Sequence, residues 1–406
     1  MTRTPNLSAD ESKIAVLGAG SWGGTLARML SAQNKDVTLW TRDKEKARIL
    51  AETRQIEKPL NIHLPGNLLV SSDLEKCLED RDIIIFACTS QSMREVANLV
   101  KAQLKCSSPV GAGRANDSTS KNPVLVSAAK GLELDTFQRM SEILQEVFPD
   151  LSVCSLSGPN LAAEILKGLP TASVIACKDA EVAKGVQLAL TVPTLRFYSN
   201  TDVTGVEFGG SFKNVIAIAA GGVDGLALGT NAKAALMTRG LTEMTRVAVA
   251  LGAKASTLAG LAGLGDLTAT CSSPLSRNYR LGYMIARGSK IKDAEAELGA
   301  VAEGVNTAHA LCDLAKKMNL DIPIASQVEA ALNGQISPQR AIMNLMNRPI
   351  KGKSKVRCEQ KSLEVFLGIS SAHYWRTCSS GGRTFEKDVQ ARMGSARCHS
   401  GPSRMC

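Results

Sequence analysis

The sequence predicts an α/β N-terminal domain with a mostly parallel sheet, followed by an all-α C-terminal domain. Three observations carry that expectation. Short apolar runs alternate with amphipathic stretches up to about residue 200, the rhythm of strand–helix–strand units. The first of those runs passes through a glycine-rich turn directly into helical spacing. Beyond about residue 200, alanine, leucine and glycine fill long helical stretches and strand signals fade.

The first strand is expected over Lys13–Leu17. It runs into Gly18-Ala19-Gly20-Ser21-Trp22-Gly23, and a helix follows over Trp22–Gln33, with Leu26, Ala27, Met29 and Leu30 at helical spacing. Strand, G-x-G-x-x-G and helix in that order mark a Rossmann-type dinucleotide site. Gly18 allows the sharp turn, Gly20 lets the backbone approach a pyrophosphate, and Gly23 lets the helix pack against the strand. Free N–H groups and the positive dipole end of the helix then face the phosphates.

A second strand is expected over Asp36–Trp40. At its end stand Arg42, suited to a ribose 2′-phosphate, and Asp43, suited to a ribose 2′-hydroxyl, so the choice between NADP and NAD stays open. Asp82–Cys88 reads as a strand buried on both faces, with Thr89-Ser90-Gln91 at its ligand-facing end. Residues Lys105–Asn122 lose apolar periodicity and read as an exposed loop. Strands resume at Val124–Ser127, Val153–Leu156 and Thr171–Cys177. In the second half, helices are expected over Phe212–Ala220, Ala232–Leu251, Tyr279–Arg287, Val305–Lys317 and Ser326–Leu332. The resulting division is a flexible N-terminus over 1–12, a dinucleotide-binding domain over 13–200, a helical substrate and catalytic domain over 201–348, and a disordered basic tail over 349–406.

Composition narrows the function classes. The chain has 406 residues and a formal net charge of +10. From Pro349 onward there are eleven Lys/Arg against four Asp/Glu, a net of +7, which leaves +3 for the rest. The folded part is nearly balanced, so no nucleic-acid surface is expected. No apolar stretch approaches the roughly 20 residues of a membrane span, and Met1–Ser12 lacks the apolar core of a secretory signal. Eleven cysteines, several in apolar runs and none in a C-x-x-C pair, indicate a reducing compartment rather than a disulfide framework. With four histidines, no metal site is expected.

Reaction at a nicotinamide needs a neighbouring proton donor or acceptor. His63 and His309 stand in no polar or glycine-rich cluster, so lysine is the better candidate. Lys213 is read at the start of an apolar helix, Gly209–Ala219. A buried amine there exchanges its proton more readily; a lysine at a helix end can also reach out to solvent. Asp266 lies in the apolar glycine-rich turn Gly263–Leu267, and Ser276-Arg277-Asn278 follow, where arginine suits phosphate or carboxylate recognition.

Six segments taken together resemble the bacterial-type NAD(P)-dependent glycerol-3-phosphate dehydrogenases: G-A-G-S-W-G, A-A-K-G-L-E, S-G-P-N-L-A-A-E, K-N-V-I-A-I-A-A-G, A-G-L-G-D-L-T-A-T-C and S-R-N-Y-R. They occur in the family's order, and the resemblance runs from about Lys13 to about Asn347. It implies a Rossmann-type domain plus a helical domain, a homodimer, NAD or NADP as cofactor, and reduction of dihydroxyacetone phosphate to sn-glycerol 3-phosphate for glycerophospholipid synthesis. It implies a cytoplasmic location, with an organelle stroma or matrix also open.

By the same resemblance Lys213 is the catalytic proton acceptor and Lys130 the second lysine, near both cofactor and substrate. Substrate contacts fall on Lys130, Gly158, Asn160, Lys213, Asp266, Ser276, Arg277 and Asn278. Cofactor contacts fall on Gly18, Gly20, Ser21, Trp22, Gly23, Arg42, Lys130, Ala162, Arg277, Val301 and Glu303. Four features depart from the family's pattern: Gly24 stands where threonine is frequent, Asn160 where serine or threonine is, the loop Lys105–Asn122 is longer than usual, and the segment after Pro349 has no counterpart. The competing readings are a lysine-using hydroxyacid dehydrogenase of the 6-phosphogluconate type and a non-catalytic NAD(P)-binding sensor. The A-G-L-G-D-L and S-R-N segments argue against the first, and the joint presence of Lys130, Lys213, Asp266 and Arg277 against the second.

Overall fold

The computed structural model describes residue 7 and residues 11–104, 122–299 and 302–348. The loop expected over Lys105–Asn122 falls almost wholly outside these residues, as does most of the expected flexible N-terminus. The tail expected over 349–406 falls wholly outside them, and so does Val301.

Among the described residues ten strands form in chain order: β1 Ile14–Leu17, β2 Val37–Trp40, β3 Gln55–Ile56, β4 Ile62–His63, β5 Leu69–Ser71, β6 Ile83–Phe86, β7 Val124–Ser127, β8 Val153–Ser157, β9 Thr171–Cys177 and β10 Leu195–Asn200. Eight of them make one sheet in the order β10-β9-β8-β7-β6-β1-β2-β5, while β3 and β4 pair as a small antiparallel hairpin. Every neighbour in the large sheet is parallel except β8 and β9. The sheet is therefore mostly parallel, as expected.

The apolar runs explain the burial. All residues of β1, β2, β6 and β7 are buried. Alternate side chains enter separate cores, because successive residues of a strand point to opposite faces. Ile14, Val16, Ile83, Ile85, Val124 and Val126 belong to one core, and Ala15, Leu17, Ile84, Phe86 and Leu125 to the other. The chain leaves β1 toward β2 and β5, then crosses to β6 on the other side. That reversal opens a crevice at the C-terminal ends of β1 and β6, where open α/β sheets bind ligands.

Two sheet strands had no strong signal in the sequence. β5 is only three residues long, and β10 is an edge strand with two buried and four half-buried or exposed positions. Each draws its order from the neighbouring strand rather than from its own apolar content.

The helical half is organised by a 23-residue helix, Val203–Gly225. It is buried on nearly all sides, as a helix apolar all round must be. Its start precedes the expected Phe212 because Asp202 caps it, accepting the Gly205 N–H at 2.9 Å. Helices Gly229–Ala250, Asp266–Ser272, Arg277–Ala286 and Gly304–Met318 surround it. The contact with Arg277–Ala286 is very close: a Cβ at Gly282 would lie 1.8 Å from the Ile218 carbonyl oxygen, so only glycine permits this packing. Sheet and helices belong to one contact unit that ends at Asn347.

Candidate active site

The glycine turn after β1 shows a division of labour. Gly18 has φ +121°, and a Cβ there would lie 2.7 Å from the Ala87 carbonyl oxygen. At Gly23 a Cβ would lie 1.9 Å from the Gly18 carbonyl oxygen. Around Gly20 nothing lies within 4 Å of the position a Cβ would take. Two glycines thus serve the protein's own packing, and the middle one faces open space. The helix Ser21–Ser31 starts at Ser21 with no side chain capping it, so its first N–H groups have no capping oxygen. The Trp22 indole N–H is buried without a hydrogen-bond partner. An open cradle, an uncapped helix start and an unsatisfied donor fit a dinucleotide's phosphates and polar groups. Gly24 also has a local reason: a Cβ there would lie 2.4 Å from Ile56 Cδ1, where the small hairpin packs.

At the end of β2 the Arg42/Asp43 pair resolves in part. Asp43 caps the helix Lys44–Thr53, accepting the Lys46 N–H at 3.0 Å. Arg42 is exposed and ion-paired with Glu95. Asp43 is thus committed to its own helix, while Arg42, also exposed, precedes that helix.

A second group of polar side chains assembles where β6 and β7 end. The Ser90 hydroxyl donates to Glu303 Oε2 at 2.6 Å. Gly131, at φ +151°, lets the chain pass Ser90; a Cβ there would lie 2.7 Å from the Ser90 Cβ. Burial pushes the Glu303 carboxyl up, against the Ser90 hydroxyl and the Arg277 charge. Arg277 opens the helix Arg277–Ala286. The residue is exposed, yet protein surrounds the guanidinium closely enough that desolvation lowers its proton affinity, with Glu303 pulling the other way. Ser276 caps that helix, its Oγ accepting the Tyr279 N–H at 3.2 Å. The buried Asn278 accepts the Gly304 N–H at 3.0 Å, which ties together the N-termini of two helices.

The centre of the site is a buried carboxylate shared by two lysines. Asp266 is 1% exposed. Its Oδ2 accepts from Lys130 Nζ at 2.8 Å, and its Oδ1 accepts from Lys213 Nζ. Lys130 also donates to Asn160 Oδ1 at 2.8 Å and to the Gly158 carbonyl at 3.1 Å. Lys213 donates to Thr270 Oγ1 at 2.7 Å, and that hydroxyl donates to the Asp266 backbone carbonyl at 2.6 Å. Desolvation lowers the Lys130 pKa to about 7; the Asp266 charge opposes this and Lys213 adds to it. With both amines protonated, the cluster carries one excess positive charge in a poorly solvated place. Such a cluster either sheds a proton or takes up an anion. The Asn160 side-chain N–H₂ is buried with no partner, aimed at no protein acceptor.

One local expectation needs correction. Lys213 is not at a helix start but near the middle of Val203–Gly225, and it is 6% exposed. A side chain reaching to solvent from a helix end is thereby ruled out. The glycine-rich turn before Asp266 is a π-helical turn, Leu261–Gly265, and Asp266 begins the helix Asp266–Ser272. The structure brings Lys130, Gly158, Asn160, Lys213 and Asp266 together. Arg277 and Glu303 form the neighbouring group, and Ala162 opens a short helix just after Asn160. Arg42 stands apart at the end of β2. Sequence reasoning missed Thr270 and gave Ser90 no role. Thr270 was within reach, since it lies four residues after Asp266, one helical turn away.

The fold and this site define a dinucleotide-binding α/β protein whose polar centre joins Lys130 and Asn160 of the sheet half to Lys213 and Asp266 of the helical half. Family models described as the NAD-dependent glycerol-3-phosphate dehydrogenase N-terminus and C-terminus match residues 13–183 and 202–343. The chain is 44% identical over 341 residues to the NAD(P)+ glycerol-3-phosphate dehydrogenase of Trichormus variabilis, covering 84% of this chain and 98% of that one. With the enzyme of the same name from Geobacter sulfurreducens it shares 42% identity over 349 residues, again 84% and 98% of the two chains. The crystal structure of glycerol-3-phosphate dehydrogenase from Coxiella burnetii superposes with a TM-score of 0.76 at 34% identity, covering 83% of this chain and 99% of that one. This chain belongs to the NAD-dependent glycerol-3-phosphate dehydrogenase family.

Proposed function

We propose that this chain reduces dihydroxyacetone phosphate to sn-glycerol 3-phosphate, reversibly, with NADH or NADPH, and so supplies glycerophospholipid synthesis. The observation that carries the reading is the Asp266 carboxylate bridging Lys130 and Lys213. Of the residues that the resemblance implies for the cofactor, Gly18, Gly20, Ser21, Trp22 and Gly23 would hold the pyrophosphate side. Arg42 serves the adenosine ribose, and Lys130, Ala162, Arg277, Val301 and Glu303 the remainder. Bound NADH or NADPH supplies the hydride that becomes the new hydrogen on C2.

The protein's own work is binding and proton transfer. Lys213 gives a proton to the carbonyl oxygen as C2 is reduced, and takes it back from the hydroxyl in the reverse direction. Asp266 and Thr270 keep the Lys213 amine aimed. Lys130 polarises the substrate, and the unsatisfied Asn160 N–H₂ gains an oxygen partner. Gly158, Ser276, Arg277 and Asn278 complete the substrate pocket, with Arg277 able to grip a phosphate through two parallel hydrogen bonds. We infer further that the enzyme is a homodimer in a cytoplasmic, reducing setting. No described helix is long and apolar enough to cross a membrane. Steady-state oxidation of NADH and NADPH with dihydroxyacetone phosphate tests the activity, with 6-phosphogluconate and NADP+ as the competing pair. Turnover of 6-phosphogluconate, or cofactor binding without turnover of either substrate, would overturn it. Light scattering on the purified protein tests the dimer.

A further inference from the structure

The β8–β9 pairing is the one antiparallel contact of the large sheet, and it places Cys154 directly opposite Cys177. Both are free thiols and both are buried, at 0% and 3% exposure. Their side chains lie on the same face of the sheet and in the same core. Among the described residues no other two cysteines occupy paired positions on adjacent strands.

Directly opposed residues of an antiparallel pair have Cα atoms about 4.5–5.5 Å apart. A disulfide needs Cα atoms roughly 4.4–6.8 Å apart. The backbone therefore already meets the requirement, and closing the bond asks only for side-chain rotation and a small approach of the Cβ atoms. Cys177 is the last residue of β9, and exposed Lys178 and Asp179 follow it. Local opening of a strand end is a low-cost route by which a buried sulfur there would meet an oxidant.

We propose that Cys154 and Cys177 form a reversible cross-strand disulfide, a redox-modification site that takes its oxidising equivalents from a small-molecule or protein disulfide. The Cys177 thiolate attacks one sulfur of the oxidant, forming a mixed disulfide and releasing one thiol. The Cys154 thiolate then attacks the Cys177 sulfur, and the second thiol leaves. The two cysteines lose two electrons and two protons, and one oxidant disulfide becomes two thiols. The bond fastens β8 to β9 at the end of the pair remote from Lys130, since Gly158 and Asn160 follow the other end of β8.

The test treats the folded full-length protein with glutathione disulfide, then maps peptides without reduction. The expected result is a Cys154–Cys177 linked peptide that dithiothreitol removes, and a melting temperature several degrees higher in the oxidised protein. In Cys177→Ser and Cys177→Ala the linked peptide and its thermal shift are both lost. Two variants are used because serine places a hydroxyl in the core while alanine does not. Absence of the linked peptide under native conditions would overturn the proposal. So would its appearance only after denaturation, or an equal thermal shift in both variants.

Discussion

Asp266→Asn is the most informative perturbation of the lysine–aspartate centre. It keeps the side chain's size and removes the one negative charge that two amines share. In the parent protein that charge holds the Lys130 pKa up at about 7, against desolvation that would take it lower. Unit charges about 4 Å apart interact by roughly 4 kcal/mol at an effective dielectric near 20. One pKa unit corresponds to about 1.4 kcal/mol, so loss of the carboxylate shifts Lys130 further down by about one to three units.

The sign for activity follows from the role of Lys130 as a protonated donor to substrate. In the parent, kcat/KM for dihydroxyacetone phosphate falls as pH rises through about 7, because that ratio reports the free enzyme. In Asp266→Asn the same limb moves to lower pH, and the plateau drops because the Lys213 amine loses its aim. The assay is a pH profile of kcat/KM between pH 5 and 9, with circular dichroism to establish that the variant is folded. A folded variant with an unshifted limb would refute the reasoning. The same group links pH to stability. A lysine whose folded pKa lies below its unfolded value releases its proton earlier in the folded state, so its contribution to stability grows as pH rises from about 7 to about 10.5.

Lys213→Ala should lower kcat by about 10²–10⁴-fold while the fold survives; a folded variant with most of its kcat would remove Lys213 from the proton path. Arg277→Ala should act on binding, with a loss of about 1.5–3 kcal/mol for a charge-assisted contact, and an unchanged KM for dihydroxyacetone phosphate would take Arg277 out of the pocket. Gly20→Ala should leave the melting temperature unaltered and raise the KM for cofactor, because its Cβ would meet only open space. Gly23→Ala should destabilise the fold, because its Cβ would lie 1.9 Å from the Gly18 carbonyl oxygen; equal melting temperatures for the two variants would show the glycine roles to be misassigned. A chain ending at Pro349 should retain activity, since the family match ends at residue 343, and loss of turnover on truncation would give the remaining residues a part in the site.

Local pattern alone determined much of this protein. The apolar runs of β1, β2, β6 and β7 are long enough, and buried enough on both faces, to declare strands without reference to their neighbours. Gly18, Gly20 and Gly23 declare their turn by their spacing between a strand and a helix, and Gly23 also answers a close neighbour, the Gly18 carbonyl. Tertiary structure decided what depends on distant partners. β5 and β10 exist because β2 and β9 supply their hydrogen bonds. Lys213 looked like a lysine at a helix end, but Asp202 starts the helix earlier and leaves it buried beside Asp266. The shared carboxylate lies 53 residues from Lys213 and 136 from Lys130. No periodicity spans such distances, because side chains that far apart meet only when the sheet and the helices have packed.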